Sequence, residues 1–284
     1  MPTITSSRPG RAYPDSDLPL YDIPAIALRY LRYRLTASNG RGHGIHSPFV
    51  YDFTRKVLDD RVRPEASGRI EALRKRLRKD RRPLEVRDLG AGSTAGGGAV
   101  RTVADIARSA AKPARYGRLL HRAAAHLGCR SAIELGTSLG LSTCYLATVP
   151  GMQQVITLEG APTVLRIAKA HFAEMGLANV RTLEGDFDSS LGQALSEMPR
   201  PDLVFFDGNH RYEPTVDYFR QCLPHAGDRT VFIFDDIHWS PGMEQAWDEI
   251  RHHPRVRCTI DLFFLGIVLF RSGFREKQHF TIRY

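Results

Sequence analysis

The stretch 131-SAIELGTSLGLSTCYLATV-149 decides the fold. SAIEL is a continuous apolar run of strand length, a glycine-bearing turn follows, and GLSTCYLATV then reads as a helix. The next run, 153-QQVITLE-159, is a second apolar strand, and it ends in Glu159. Glu159 lies about 20 residues beyond Gly140. At that spacing an acid closing the second strand of a βαβ unit meets the ribose hydroxyls of a bound nucleotide.

The same alternation continues downstream. Helix-like APTVLRIAKAHFAEMG leads to strand-like NVRTLEG, and PDLVFFD is followed by helix-like EPTVDYFRQCL. Then come DRTVFIFDD, helix-like GMEQAWDEIRHH and the apolar run VRCTIDLFFLGIVLFRS. Strands alternating with helices predict a parallel sheet covered on both faces. The last run carries Gly266 in its middle and is read as two strands with a tight reversal there, adding an antiparallel edge.

A second glycine-rich stretch, 88-DLGAGSTAGGG-98, competes for the role of cofactor loop. The strand candidate before it, PLEVRDL, is charged, and about 20 residues beyond it the chain reads AKPARYG, with no strand and no acid. It is read as a flexible connection leading into a helix from Gly98 to Ala110. The loop at 134–140 is therefore the cofactor loop. Aligned on G-x-G-x-x-G, its middle glycine falls on Ser138, where a pyrophosphate needs close backbone approach. It also lacks the Lys-Ser/Thr of a phosphate-binding loop. Both departures suit a nucleoside cofactor without phosphates.

E-x-G-T-S-x-G-x-S followed by a strand ending in Glu resembles the class I S-adenosylmethionine (SAM) dependent methyltransferases. The form with Thr-Ser in the loop is similar to O-methyltransferases of the catechol and caffeoyl-CoA type, and the likeness runs from about residue 117 to 271. It implies an α/β, Rossmann-like fold with a mostly parallel seven-stranded sheet and an antiparallel last strand. It also implies a cofactor site. Gly136 and Gly140 would let the backbone approach the methionine part, with Glu134, Thr137, Ser138 and Ser142 around them. Glu159, with Gly160, would accept from the ribose hydroxyls. Asp186, in 184-EGDF-187, would meet the adenine amine.

Two further segments, 202-DLVFFDGNHRYEP-214 and 231-VFIFDDIHWSPG-242, are apolar strands ending in carboxylates. Asp207, Asp235 and Asp236 are expected at neighbouring strand ends on the cofactor edge. Three carboxylates converging there suit a hard cation such as Mg²⁺. The D-G-x-H-x-Y-E and D-D patterns resemble metal-dependent sugar and small-molecule O-methyltransferases. That likeness implies Asp207, Asp235 and Asp236 as metal ligands, Asp207 and His210 as catalytic groups, and a hydroxylated small molecule as methyl acceptor. The other readings are that Asp207 orients the methionine amino group and that Asp235 caps a turn. His238 is a second candidate base or a structural histidine, and Trp239 a pocket wall or a cover for the core.

The N-terminal part has a different texture. Residues 1–115 hold 23 Lys and Arg against 12 Asp and Glu, whereas residues 116–284 hold 17 against 19. The division expected is a mobile 1–20, a basic helical extension or lid over 21–115, and a methyltransferase domain over 116–284. Helices are expected at 24–36, from about Pro48 to Leu58, and at 67–79. The phrase HGIHSPF, with His43 and His46, together with 236-DIHWSPGM-243 resembles an uncharacterised bacterial methyltransferase-like group. The basic asymmetry keeps open an RNA or DNA methyltransferase, and a non-catalytic binding module on the same fold is the remaining alternative. The longest strongly apolar run, 262-LFFLGIVLF-270, is about half the ~18 residues of a membrane span. The N-terminus has no signal-peptide core. The four cysteines form no CxxC pair and are expected as free buried thiols. A soluble cytoplasmic protein, with an oligomer left open, is the expectation.

Overall fold

A computed structural model describes residues 20–38, 45–58, 63–85, 100–109 and 111–284. The stretch 88–98 and His43 lie outside the described residues.

Three helices come first: α1 (Ile23–Thr36), α2 (Pro48–Val57) and α3 (Ser67–Leu77). Strands β1 (Pro83–Glu85) and β2 (Val100–Thr102) pair antiparallel, and α4 (Val103–Ser109) follows directly. The weak strand before the glycine-rich stretch thus exists, but it belongs to a two-stranded ribbon outside the main sheet. The αβ alternation then runs as expected through α5 (Ala114–Leu127), β3 (Ser131–Leu135), α6 (Leu141–Ala147), β4 (Gln154–Glu159), α7 (Pro162–Met175) and β5 (Val180–Glu184). It continues with α8 (Phe187–Glu197), β6 (Leu203–Phe206), α9 (Tyr212–Cys222), β7 (Val231–Asp235) and α10 (Pro241–His252). Strands β8 (Cys258–Asp261), β9 (Leu265–Leu269) and β10 (Gln278–Thr281) close the chain.

The main sheet has the order β10-β8-β9-β7-β6-β3-β4-β5. All pairs are parallel except those of β9, which runs antiparallel to both β7 and β8. Seven of the eight strands are the expected set, and β10 adds one on the far edge. The antiparallel strand is not an edge, because β9 inserts between β7 and β8. Gly266 is not the reversal either. The chain turns at Leu262–Phe264, with Phe263 at φ +70°, and Gly266 lies inside β9. A Cβ on Gly266 would come within 2.6 Å of the Trp247 ring, so the glycine makes room for the indole against the strand.

The period-2 alternation of each strand divides its side chains between two cores. Ala132, Val155, Leu203, Phe205, Val231 and Ile233 face one side, against α2 and α5. Ile133, Leu135, Ile156, Val204, Phe206 and Phe232 face the other, under α8, α9 and α10. Burying an aromatic or branched side chain of this kind stabilises by roughly 1.5–3 kcal/mol. Phe206 and Phe234 stack at 4.2 Å between centroids, which keys β6 to β7 just below their acidic ends.

The N-terminal helices join these same cores. Val50, Phe53 and Val57 of α2 pack with Leu119 and Leu120 of α5. Ile70, Leu73 and Leu77 of α3 pack with Val103 and Ile106 of α4 and Tyr145 of α6. Their basic residues pair in part with acids, as in Arg76–Glu174 and Arg82–Asp80, both at 2.6 Å. No helix of the described residues is long and apolar enough to cross a membrane. All four cysteines are buried and free.

Candidate active site

The strand order reverses at β3, whose neighbours β4 and β6 lead to opposite edges of the sheet. Ligands of open α/β sheets bind beyond the carboxyl ends of the strands at such a point. The loop after β3 begins with Gly136 at φ +108°. A Cβ there would overlap the carbonyl oxygen of Asp207 and sit 2.8 Å from its carbonyl carbon. Glycine at 136 therefore lets the β3 loop and the β6 tip touch backbone to backbone.

The loop is tied to the next strand as the spacing predicts. Glu159 accepts from the Ser138 amide at 2.8 Å and from the Ala161 amide at 2.9 Å. Burial raises its pKa, and the amides of Ala161, Ser138 and Gly160 oppose that shift by favouring the carboxylate. A carboxylate has about four lone-pair directions, so Glu159 keeps capacity for a ligand's hydroxyls. Ser138, the residue in place of the middle glycine, stands at φ +47°. Asn209 and Asp236 share that uncommon backbone region at φ +53° each. Three such residues at the tips of β3, β6 and β7 mark a locally strained edge, as functional loops often show.

Glu134 is fully buried. It accepts from the hydroxyls of Thr143 at 2.5 Å and Thr157 at 2.7 Å, and Thr157 also meets Thr137 at 2.6 Å. Burial raises the Glu134 carboxyl to about 7, against hydrogen bonds from Thr143, Thr157 and Ser142. Its Oε1 has no hydrogen-bond partner. Glu134, Thr137, Thr143 and Thr157 thus form a network that fastens the loop to α6 and β4. Gly140, expected to admit the cofactor, is also closely packed. It stands at φ +82°, and a Cβ would lie 2.6 Å from the Phe172 ring. Asp186 caps α8, accepting from the Ser189 amide at 2.8 Å, and its side chain is exposed at the end of β5.

The carboxylate ends of β6 and β7 come together. One ligand atom each from Asp207, His210 and Asp235 lies within 4.8 Å of the others. His210 Nε2 stands 3.9 Å from Asp207 Oδ1, too far for a hydrogen bond. Burial pushes Asp207 well above the usual carboxylate range, and the nearby Asp235 adds to the shift. Asp235 is raised by burial and by Asp236. Asp236 is not part of that trio, and here the structure departs from the sequence. The tips do have a basic partner, Lys112, from the segment between α4 and α5. Its ammonium hydrogen-bonds Asp236 Oδ1 and lies 3.0 Å from Asp235 Oδ2. The Asp235 contact misses hydrogen-bond geometry, so both Asp235 oxygens are buried without a hydrogen-bond partner. Burial by itself would lower the Lys112 pKa, but Asp235, Asp236 and Asp207 outweigh it and raise the value.

His238 is occupied structurally. Its Nδ1 meets Glu244 at 3.1 Å and its Nε2 meets Asp261 at 2.8 Å, while the ring stacks on Phe263. Burial lowers its pKa, but those two carboxylates raise it to about 9 overall. Glu244 also takes Tyr21 and Arg29, so the cluster fastens α1 to the β7–α10 turn. His46 is exposed.

A cavity at this edge is lined among others by Ser138, Ser142, Asp207, Lys112 and Arg74, so it joins the β3 loop to the β6 tip. Arg74 and Lys112 come from segments outside the strand–loop–helix motifs. No spacing points to them. Only the unbalanced charge of three convergent acids asks for a cation.

The comparisons with known proteins fall on this region. Residues 133–237 match the family described as a methyltransferase domain. A catechol O-methyltransferase of Mycobacterium tuberculosis is 29% identical over 130 residues, covering 44% of this chain. The chain spans 56% of that relative's length. A methyltransferase of Podospora anserina, solved with S-adenosylhomocysteine (SAH), covers 90% of this chain and 99% of its own, with TM-score 0.54 at 13% identity. At that identity the likeness is one of fold. The matched segment runs from β3 through the β7 tip, so it holds the Gly136 loop, Glu159 and all three aspartates. Residues 133–237 thus match a methyltransferase domain, and the chain shares the Rossmann-like fold of a methyltransferase structure.

Proposed function

We propose that the protein is a SAM-dependent O-methyltransferase acting on a hydroxyl of a small molecule, of sugar or phenol type. One observation carries the reading: Thr137 and Ser138 of the β3 loop line one cavity with Asp207, and Glu159 is tied to that loop through the Ser138 amide. In this reading Glu159 accepts from both ribose hydroxyls, with Gly160 beside it. Asp186 faces the adenine side. The methionine part lies over Gly136, Thr137 and Ser138, with the sulfonium methyl directed toward the β6 and β7 tips.

The reaction is an in-line displacement. The acceptor oxygen forms a bond to the methyl carbon, the carbon–sulfur bond breaks, and its electron pair leaves the sulfur as a neutral thioether. The acceptor's hydroxyl proton passes to a base, and His210 is suited to that task by position, three residues beyond Asp207. Alignment of the two reactants supplies most of the rate in such a step.

A divalent ion on Asp207, Asp235 and Asp236 is the finer expectation, and it would lower the acceptor hydroxyl's pKa. The donor types suit Mg²⁺ or Mn²⁺. The arrangement does not fit one, because Lys112 already engages Asp235 and Asp236 and leaves only Asp207 and His210 free of it. No step is routed through an ion here.

The test is calorimetry with SAM and SAH. Glu159→Ala should weaken binding by about 1–3 kcal/mol, the cost of losing charged hydrogen bonds to ribose. Glu159→Gln, which keeps one acceptor oxygen, should fall between. Unchanged affinity in both variants would remove Glu159 from the cofactor site.

A further inference from the structure

We propose that Lys112 is the resident cation of the carboxylate site and takes the place of a divalent metal. The inference rests on the methyltransferase reading for its chemistry, but its physical core stands separately.

Lys112 is anchored from behind. Its carbonyl oxygen accepts from Arg74 Nη1 at 2.7 Å. Arg74 is itself buried and held by Glu71 through Nε at 2.9 Å. Glu71 in turn takes the Tyr145 hydroxyl at 2.9 Å. Pro113 follows at the N-cap position of α5. The backbone of residue 112 is therefore pinned by α3 and α6, and its side chain reaches across to β7. The segment carrying Lys112 lies outside the matched methyltransferase region, which begins at residue 133.

The charge count agrees. Asp207, Asp235 and Asp236 place three acids around a mostly buried point, with side chains of Asp235 and Asp236 only 1% and 15% exposed. Such a cluster needs a positive charge at its centre. An ammonium at 3.0 Å from Asp235 and bonded to Asp236 provides it from within the chain. An ammonium has three donors. One is bonded to Asp236, a second faces Asp235 as an ion pair short of hydrogen-bond geometry, and Lys112 also lines the cavity that reaches Ser138 and Asp207. The third is placed to donate to the acceptor oxygen as negative charge develops on it. Lys112 keeps its proton throughout, while the hydroxyl proton goes to His210 as above.

The experiment is Mn²⁺ binding to the full-length protein, followed by electron paramagnetic resonance, for wild type, Lys112→Met and Lys112→Ala. SAH binding is measured on the same samples. Wild type should show no saturable Mn²⁺ site at millimolar ion. Each variant should acquire one, at least about tenfold tighter than any wild-type binding, because the vacated aspartates accept the ion. Saturable Mn²⁺ binding by wild type at micromolar ion would overturn the proposal. So would a folded Lys112→Met protein that gains no Mn²⁺ site. Retained SAH binding and an unchanged unfolding transition establish that a variant is folded. Should Lys112→Ala fail to fold, Lys112→Met, which keeps the apolar stem, decides alone. Absence of SAH binding to wild type would instead count against the methyltransferase reading and leave the Mn²⁺ result to judge Lys112.

Discussion

Gly136→Ala should be the most damaging single-methyl change in the site. Two costs combine. The φ of +108° disfavours any residue with a Cβ, at roughly 1–2 kcal/mol. The new carbon would also overlap the Asp207 carbonyl, a backbone group that cannot rotate away as a side chain would. Forcing apart two packed segments costs about 1–3 kcal/mol. The sum, about 2–5 kcal/mol, is a large part of the 5–15 kcal/mol typical of a whole domain. Gly151→Ala separates the terms. Gly151 has a similar positive φ of +84°, but nothing lies within 4 Å of its Cβ position. It should lose only the conformational part. Urea unfolding of the two variants gives the difference directly, and calorimetry with SAH shows whether the β3 loop still meets the β6 tip. If Gly136→Ala were no less stable than Gly151→Ala and bound SAH like wild type, the loop-to-tip contact would not organise the site.

Two other outcomes follow from particular groups. Glu134 has its folded pKa raised to about 7 from an ordinary 4.5, so the folded protein holds this proton more tightly than the unfolded chain. Its stabilising contribution is complete below about pH 4.5 and is lost as pH rises through about 7, by on the order of 3 kcal/mol. Glu134→Gln should flatten that part of the stability profile between pH 4.5 and 7 in urea titrations, and an unchanged slope would refute it. Asp186→Ser should keep the α8 cap, whereas Asp186→Ala should lose about 1 kcal/mol of stability. If the adenine contact is real, both should weaken SAH binding alike, and full affinity in Asp186→Ser would reduce the residue to a helix cap.

The strands and helices from 114 onward were readable because each is a local event. A buried parallel strand needs an unbroken apolar run, and an amphipathic helix needs a stripe at its own period. Glu159 was legible for the same reason, since the strand–loop–helix–strand unit has a nearly fixed length. Gly266 was misread because a glycine inside an apolar run is ambiguous between a turn and a close approach. Only the position of Trp247, across the sheet, resolves it. His238 could not be assigned from sequence, because its partners Glu244 and Asp261 are set by α10 and β8. The packing of Gly140 on Phe172, a neighbour on another helix, was likewise not legible in the sequence.

By itself the sequence determined the βαβ alternation and the meeting of Asp207 and Asp235 at the β6 and β7 ends. These depend on periodicity and strand order, which short-range patterns encode. What balances those acids was decided only in three dimensions. Lys112 stands 95 or more residues before each of them and reaches them because Arg74 and the packing of α3 on α6 hold its backbone in place. Charge pairing acts through space at about 3 Å and is indifferent to distance along the chain, so no spacing rule could have announced it.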